Sequence, residues 1–215
     1  MKNFLFIRHG ESLLNRQRCV QGQLDSKLTE KGIKQALSVA DQLKNVNVKR
    51  IISSPLLRTR ETAEIIAGEL NIQVIYENEI REIFMGKWEG KPFQELIDKD
   101  REMFRSFIDK PAKTIIPEAE KLELFQKRIT RWLDKMLQSN EERHIIVSHA
   151  GVINIILCTV LGQHMNSLWH FKNDNCSICE ITFNGSAKRV LRINDISHLD
   201  KELTNSFKIA ENLNA

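Results

Sequence analysis

Histidine and arginine side chains, the residue types best suited to an anionic substrate, stand in three short groups along the chain. The groups are Arg8-His9-Gly10, Arg58 with Arg60, and His149-Ala150-Gly151. A guanidinium carries a fork of donors that matches the oxygens of phosphate or carboxylate. An imidazole can act as a nucleophile, as an acid–base group or as a donor. If the three groups meet in the folded chain, they form a site for chemistry on an anion.

Short apolar segments that end just before these groups are the elements that must position them. Residues 3–7, 50–53 and 144–148 are predicted strands, because brief apolar runs are typical of a buried parallel sheet. In open α/β sheets, ligands bind beyond the carboxyl ends of the strands. We therefore expect the three groups to converge at one edge of the sheet. Gly10 and Gly151 would let the ligand approach the backbone closely.

Segments with helical periodicity alternate with the predicted strands. The helices are expected at 29–44, 54–67, 92–108, 118–137 and 151–161. Thr29 and Ser54 are the candidate N-cap residues of the first two helices. Pro55 would occupy the first position of the second helix, and Gly68 would help to end it.

Two further strand signals complete the predicted fold. A third parallel strand is expected at 72–76, and a hairpin joins 177–183 to 188–193 through the strong turn signal Asn184-Gly185. Strands that alternate with helices indicate a mostly parallel sheet covered on both faces. The predicted fold is therefore a three-layer α/β/α structure whose mostly parallel sheet gains an antiparallel edge strand from the hairpin.

Composition and charge are those of an ordinary globular protein. The 215 residues are 41% hydrophobic and 28% charged, which suits one domain over 1–215, with 77–117 as a cap-like excursion over the sheet. The net charge of +4 is dispersed, since no run of Lys or Arg exceeds two residues, so no nucleic acid partner is expected.

No segment of the sequence indicates a membrane or a targeting signal. The longest apolar stretch, 152–161, is too short to span a bilayer, and a cytoplasmic protein without a membrane partner is expected. A homodimer is compatible with the sequence. The four cysteines are expected to be reduced, and Cys176 with Cys179 to be buried thiols, because zinc would need two more ligands. Oxidation sensing is one hypothesis for Cys19.

Taken together, these motifs resemble the histidine phosphatase superfamily, in the branch that contains phosphoglycerate mutases and small phosphatases. The resemblance covers most of the chain. The matching stretches are Arg8-His9-Gly10-Glu11-Ser12 with Asn15, Gln21-Gly22, Leu28-Thr29-Glu30-Lys31-Gly32, Ser53-Ser54-Pro55 with Arg58 and Arg60, Arg81-Glu82, Gly86-Lys87-Trp88-Glu89-Gly90, and Ser148-His149-Ala150-Gly151. The resemblance implies a phosphoglycerate mutase-like fold and a phosphatase that acts on a small phosphorylated substrate without a metal; we expect no cofactor.

The resemblance also implies roles for individual residues. The catalytic set would be His9 as the nucleophile that accepts the phosphoryl group, Glu82 as the general acid and then base, and Arg8, Arg58 and His149 on the phosphate oxygens. The substrate-binding set would be Asn15, Gln21, Gly22 and Arg60, with Gly151 where the backbone is open to the ligand.

General chemistry agrees with these implied roles. Phosphoryl transfer passes through a loose transition state, so positioning and charge stabilisation dominate. His9 must be neutral to attack, and the nearby cations Arg8 and Arg58 would disfavour its imidazolium form. Glu82 must carry a proton for the departing alkoxide, and burial would raise the pKa of its carboxyl. Without the motif, Glu82 would not stand out from Glu77, Glu79 and Glu89.

The sequence departs from the family near 118–125. Many relatives carry Gly-Glu-Ser there, and this chain has Ala119-Glu120-Lys121. Glu120 would keep an indirect role or a place at the helix start, and Lys121 cannot cap as serine does. The longer cap insertion and the arginine pair of phosphoglycerate mutases are also missing, which favours hydrolysis. A mutase and a non-catalytic module that binds phosphoproteins are the alternatives.

Two readings of the leaving-group side stay open. An arginine-lined pocket would suit a small phosphomonoester with a second anionic group; its candidates are Arg16, Arg18, Arg60 and Arg81. An apolar wall would instead admit a larger substrate; its candidates are Phe84, Met85 and Trp88, of which Trp88 is expected to be a packing residue.

Overall fold

The computed structural model describes residues 1–204 and contains one six-stranded sheet. Its strands are β1 (Lys2–Arg8), β2 (Arg50–Ser53), β3 (Gln73–Tyr76), β4 (Arg143–Ser148), β5 (Ile178–Asn184) and β6 (Ala187–Asp195), in the order β3-β2-β4-β1-β5-β6. The first four strands are parallel, whereas β5 and β6 run antiparallel to their neighbours. The predicted mostly parallel sheet with an antiparallel edge is confirmed.

Helices cover both faces of the sheet, which gives the three predicted layers. On β1, Leu5 and Ile7 face α2 (Glu30–Leu43) and α3 (Leu57–Leu70), while Phe4 and Phe6 face the opposite layer. The opposite layer contains α4 (Phe93–Asp109), α5 (Leu122–Leu137) and α6 (Ala150–Leu161). The short α1 spans Leu13–Arg16. Because side chains alternate across β1, this one strand contributes to the hydrophobic cores on both faces of the sheet.

The register of the central strands sets the level at which the chain leaves the sheet. Arg8 at the end of β1 pairs with Ser148 at the end of β4, and Ser53 of β2 pairs with Val147. His9 and His149, the next residues along their strands, therefore emerge side by side. The expected convergence of strand ends follows directly from this pairing.

Helix ends agree only partly with the sequence. Thr29 caps α2 as predicted, because its hydroxyl accepts a hydrogen bond from the Gly32 amide at 3.0 Å. The predicted cap at Ser54 is wrong: α3 begins at Leu57, and the Ser54 hydroxyl faces a histidine instead. The predicted stop at Gly68 is also wrong, since α3 runs to Leu70 and ends at Asn71 in the left-handed conformation (φ 52°).

The start of α5 lies later than predicted, for a physical reason. The sequence favoured a helix from residue 118, but Glu118 has a left-handed φ of 63° and the Glu120 amide bonds to the Phe84 carbonyl. These residues form a connection that reaches back to the segment before α4. Lys121 then occupies the N-cap position without a side-chain hydrogen bond, as expected for a lysine.

Residues 77–117 pack against the sheet rather than apart from it. They contain α4 and the 3₁₀ helices Asn78–Ile80, Gly86–Trp88 and Pro111–Lys113. Ile80, Trp88 and Phe104 are buried in the same core as Phe4 and Phe6. The Trp88 ring packs against Phe104 and Phe107, so its predicted packing role is confirmed.

The last described residues, Leu203 and Thr204, contact α2. Gln35 donates a side-chain hydrogen bond to the Leu203 carbonyl, and Lys31 donates one to that of Thr204. The sequence after residue 197 is polar, and its part beyond Thr204 lies outside the described residues. Within residues 1–204, the helices fall short of the length and apolar character that crossing a bilayer requires.

Candidate active site

His9 lies at the carboxyl end of β1 with its ring fixed in one orientation. The side chain is 3% exposed, and Nδ1 lies 2.8 Å from the carbonyl oxygen of Gly10. Because a carbonyl only accepts, Nδ1 carries the proton and Nε2 presents a lone pair. Burial, reinforced by the positive charges of Arg58 and Arg8, lowers the pKa of His9 well below its usual value. His9 is therefore a buried, neutral imidazole whose unprotonated Nε2 is the candidate nucleophile.

Arg58 approaches that nitrogen from the first turn of α3. Its Nε lies 3.2 Å from His9 Nε2, and its two terminal nitrogens donate to the carbonyls of Leu24 (2.9 Å) and Gly22 (2.8 Å). The guanidinium is 1% exposed, and burial lowers its pKa to about 10, so the group stays cationic at neutral pH. All three nitrogens of Arg58 are thus fixed, with Nε beside the atom that would receive phosphorus.

Arg8 supplies a second cation on the other side of His9. Its Nη1 donates to the Asn173 carbonyl at 2.6 Å, while its buried Nε has no hydrogen-bond partner among residues 1–204. Burial lowers the pKa of Arg8, and the charges of Glu82 and Asp174 oppose that shift. An N–H that is buried without a protein acceptor suits a phosphate oxygen.

His149 faces His9 from the N-cap position of α6, with the two ring centroids 5.4 Å apart. Its Nε2 lies 2.9 Å from the Ser54 hydroxyl, which also accepts from the Leu56 amide at 3.4 Å. Ser54 can therefore donate its own proton to Nε2, which leaves the N–H on Nδ1. Nδ1 is buried and has no partner in the described part of the chain. Burial and the charge of Arg58 lower the pKa of His149 well below its usual value.

Glu82 reaches the site from an irregular segment between two 3₁₀ helices. Its carboxylate oxygens accept hydrogen bonds from the amides of Ile83 (3.0 Å) and Gly151 (3.1 Å). Burial raises the pKa of this carboxyl, although the two amides and the charges of Arg58 and Arg8 act against the shift. A carboxyl with a raised pKa can hold a proton for a leaving group.

Gly151 has a different task from the one predicted. The sequence placed it where a ligand would approach the backbone, but a Cβ at this position would overlap Glu82 Oε1. At Gly10, likewise, a Cβ would come within 2.6 Å of the Gly32 carbonyl oxygen. In both cases the close neighbour is protein, so each glycine is needed for packing of the site itself.

Three of the predicted substrate-binding residues form a support next to the site. Asn15 and Ser12 make reciprocal hydrogen bonds that cap α1, and Gln21 Oε1 accepts from the Ser12 hydroxyl at 2.8 Å. Gly22 has a left-handed φ of 51°, and its carbonyl holds the Arg58 guanidinium. The loop that contains them is thereby tied to Arg58.

Arg60 does not join the site. Its guanidinium lies 3.7 Å from the Glu64 carboxylate and 5.5 Å from the centre of the Tyr76 ring, with the side chain half exposed. Residues two apart on a helix point in different directions, so the turn that aims Arg58 at His9 aims Arg60 away. Its predicted place in the substrate pocket is therefore not supported by the structure.

Several residues that support the site were not predicted from the sequence. Asn175 donates to the His9 carbonyl at 2.9 Å, and the Asn173 carbonyl holds Arg8. The side chain of Arg128 donates to the Glu82 carbonyl at 3.0 Å. One signal could have revealed Arg128: it lies three residues after Phe125 and four before Trp132, which puts a charge beside the apolar stripe of α5.

The four cysteines are all unpaired and buried, and the predicted burial of Cys176 and Cys179 is confirmed. Burial raises the pKa of Cys179 to about 12 and raises that of Cys176 as well. Burial also raises the pKa of the Cys19 thiol, so Cys19 lacks the thiolate character of a redox-sensitive cysteine.

Comparisons with known proteins agree with this geometry. Residues 4–196 match the family model described as "Histidine phosphatase superfamily (branch 1)". A curated relative from Hydrogenobacter thermophilus, "Putative phosphoserine phosphatase 2", is 32% identical over 92% of this chain and 98% of its own length. Another, "Probable phosphoglycerate mutase GpmB" of Erwinia tasmaniensis, is 33% identical over 93% of this chain and 96% of its own length.

A solved structure gives the same result for the fold. Bacillus stearothermophilus YhfR superposes with a TM-score of 0.86 at 29% identity, covering 92% of this chain and 99% of that one. The two curated names denote phosphoryl hydrolysis and phosphoryl transfer. The chain therefore belongs to branch 1 of the histidine phosphatase superfamily and is an enzyme of phosphoryl hydrolysis or transfer.

Proposed function

We propose that this enzyme hydrolyses small phosphomonoesters through a covalent phosphohistidine on His9, without a metal ion. The observation that carries the proposal is the state of the His9 ring. Its Nδ1 proton is held by the Gly10 carbonyl, so Nε2 is unprotonated and its lone pair accepts a hydrogen bond from the cationic Arg58 at 3.2 Å. A neutral nucleophile beside a fixed cation is the arrangement that attack on a phosphate dianion requires.

The first step forms the phosphoenzyme. The phosphate oxygens accept hydrogen bonds from Arg8, Arg58 and the Nδ1–H of His149. The lone pair of His9 Nε2 attacks phosphorus while the bond to the ester oxygen breaks and its electron pair leaves with that oxygen. Glu82 gives its proton to this oxygen, so an alcohol departs.

The second step releases inorganic phosphate. Glu82, now a carboxylate, takes a proton from a water whose oxygen attacks phosphorus. The P–N bond breaks and its electron pair returns to Nε2. The cycle ends with Glu82 protonated and His9 neutral, so every proton and electron pair is accounted for. The cationic side chains supply the charge that a metal ion would otherwise provide, and we expect full activity after dialysis against EDTA.

Hydrolysis is favoured over mutase transfer because the sequence lacks the longer cap insertion and the arginine pair expected of phosphoglycerate mutases. The name of the Hydrogenobacter relative makes phosphoserine the first substrate to assay, and that of the Erwinia relative adds 3-phosphoglycerate. Release of inorganic phosphate supports hydrolysis. Isomerisation of 3-phosphoglycerate without release of phosphate would show that the enzyme is a mutase.

Trapping the intermediate tests the nucleophile directly. The enzyme is mixed with ³²P-labelled substrate and quenched in alkali, which a phosphohistidine survives. We expect label on His9 and a loss of about 10⁴-fold or more in kcat for His9→Ala, as for nucleophiles elsewhere. His170→Ala removes an exposed histidine and should leave both readouts unchanged. Rapid turnover with no alkali-stable label would refute the proposal.

A further inference from the structure

The backbone that presents Glu82 is held by one side chain from another element. Arg128 of α5 donates to three carbonyl oxygens of the segment before and at Glu82. These are Glu79 O at 2.5 Å, Arg81 O at 2.8 Å and Glu82 O at 3.0 Å. Neither a strand nor an α-helix stabilises this segment, so the guanidinium replaces a regular hydrogen-bond ladder.

Glu120 fixes the same guanidinium from the other side. Its two oxygens accept from Arg128 Nε at 2.8 Å and Nη2 at 2.9 Å, which is a bidentate pair. Glu120 also connects to the backbone just after Glu82, because its amide donates to the Phe84 carbonyl (2.9 Å) and its carboxylate accepts from the Phe84 amide (3.4 Å). The Arg128–Glu120 pair is therefore hydrogen-bonded to the backbone on both sides of Glu82.

The surroundings keep this pair in place. The side chains of Arg128 and Glu120 are 21% and 18% exposed, and the guanidinium lies 4.7 Å from the centre of the Phe125 ring. A partly buried bidentate pair that also makes three backbone hydrogen bonds has little freedom to move. Lysine could not reproduce it, because an ammonium lacks the planar fork.

We propose that Arg128 and Glu120 are positioning residues that aim the Glu82 carboxyl at the leaving-group oxygen. Neither touches the reacting atoms; they act through the backbone of residues 79–84. The inference rests on the proposed role of Glu82 as general acid. A shift of about an ångström in a catalytic group can cost 10²-fold in rate, so loosening these hydrogen bonds should slow proton transfer selectively.

Leaving-group dependence separates this role from a general loss of structure. Phosphoserine expels an alkoxide that needs a proton, whereas p-nitrophenyl phosphate expels a phenolate that leaves without one. For Arg128→Lys we expect kcat/KM for phosphoserine to fall by roughly 10- to 100-fold and that for p-nitrophenyl phosphate by less than about 3-fold. Glu120→Gln keeps the size of the side chain and should show the same selectivity with a smaller loss.

Two further variants make the outcomes distinguishable. Arg131→Lys alters an exposed arginine of the same helix and should leave both substrates unaffected. Glu82→Gln should show the full selective loss, of about 10²- to 10⁴-fold. If Glu82→Gln shows no selectivity, the proposed function of Glu82 fails. If Glu82→Gln is selective but Arg128→Lys and Glu120→Gln act like wild type or slow both substrates equally, the positioning role is wrong and the proposed function stands.

Discussion

The two halves of the site are held in place by different means. His9 and His149 extend adjacent strands, and the His9 amide donates to the Ser148 carbonyl at 3.0 Å, so the sheet ladder itself sets their spacing. Glu82 stands on irregular backbone whose carbonyl accepts from the side chains of Arg128 and Gln23, each at 3.0 Å. The backbone of the nucleophile is thus positioned by main-chain hydrogen bonds of the sheet, whereas the backbone of the acid is positioned by side chains from other segments.

Burial affects the two halves in opposite senses that serve one reaction. It lowers the pKa of His9 and raises the pKa of Glu82, because burial always disfavours the charged form. Burial therefore keeps His9 neutral and favours the protonated form of Glu82, and these are the forms that nucleophilic attack with protonation of the leaving group needs. Fixed charge is left to Arg8 and Arg58. Variants that damage one half should thus have a signature different from variants of the other.

After His9→Ala and Glu82→Gln, Arg58→Lys should cause the largest loss in kcat/KM, on the nucleophile side. Lysine removes the fork that holds the carbonyls of Gly22 and Leu24 and one donor to phosphate. Removing such a donor costs roughly 10²- to 10³-fold in kcat. The loss should be similar for phosphoserine and p-nitrophenyl phosphate, measured as kcat/KM, since phosphate is common to both. Arg60→Lys changes an arginine of the same helix that points at Glu64, and its kcat/KM should be close to that of the wild type. An equal loss for Arg60→Lys would show that Arg60 contributes to the site.

Gly151→Ala should cause the next largest loss, where the two halves touch. The added Cβ would overlap Glu82 Oε1 and displace the carboxyl from the Gly151 amide. We expect kcat/KM for phosphoserine to fall by about 10²-fold, with a smaller change for p-nitrophenyl phosphate. Gly68→Ala is the matched control, because a Cβ there meets only open space. Equal losses on both substrates would mean that Gly151 serves the phosphate and not the acid.

The same division explains how much the sequence predicts. The mostly parallel sheet with its antiparallel edge and the meeting of Arg8, His9 and His149 follow from local apolar runs and turn signals, because ladder register carries strand ends to one edge. The role of Arg128 and the changed place of Arg60 depend on long-range side-chain contacts and on helix phase, which local patterns do not encode. Glu82 itself was identified only through family resemblance.

The false prediction of a cap at Ser54 belongs to the same class. A serine before a proline is a sound local signal for a helix start. The tertiary contact with His149 overrides it and moves the start of α3 to Leu57. The Ser54 hydroxyl is hydrogen-bonded to His149, which follows β4. Local sequence patterns do not predict that His149 lies near Ser54.

Ser54→Ala tests that contact and should have a moderate effect. Without the hydroxyl, His149 Nε2 loses its donor and the Nδ1–H form is less favoured. The loss of one hydrogen bond, about 0.5–1.5 kcal/mol, predicts a fall in kcat/KM of roughly 3- to 10-fold. It should be equal for the two substrates, because His149 holds phosphate. Ser38→Ala, at an exposed serine, should change neither. A loss confined to phosphoserine would place Ser54 with the acid half.

The effect of Glu82→Gln on stability, separate from its effect on activity, should be small, and its sign follows from the raised pKa. Burial raises the folded-state pKa of Glu82, so its ionisation costs stability. That cost is absent below the unfolded-state pKa and reaches its full size above the folded-state pKa. Glutamine never ionises, so the difference in Tm, variant minus wild type, should grow as the pH rises through this window. Each 1 kcal/mol of relief corresponds to about 2–4 °C in a chain of this size.

Thermal melts of the two proteins between acidic and mildly alkaline pH measure this difference. The amides of Ile83 and Gly151 both donate to the carboxylate, whereas glutamine and the protonated carboxyl each accept only one such bond well, so glutamine resembles the protonated form of Glu82. The slope with pH therefore isolates ionisation. Glu102→Gln, at an exposed carboxyl, is the matched control. A flat difference for Glu82→Gln would mean that the folded protein tolerates this carboxylate as well as water does, and the acid half would then lack its proton at neutral pH.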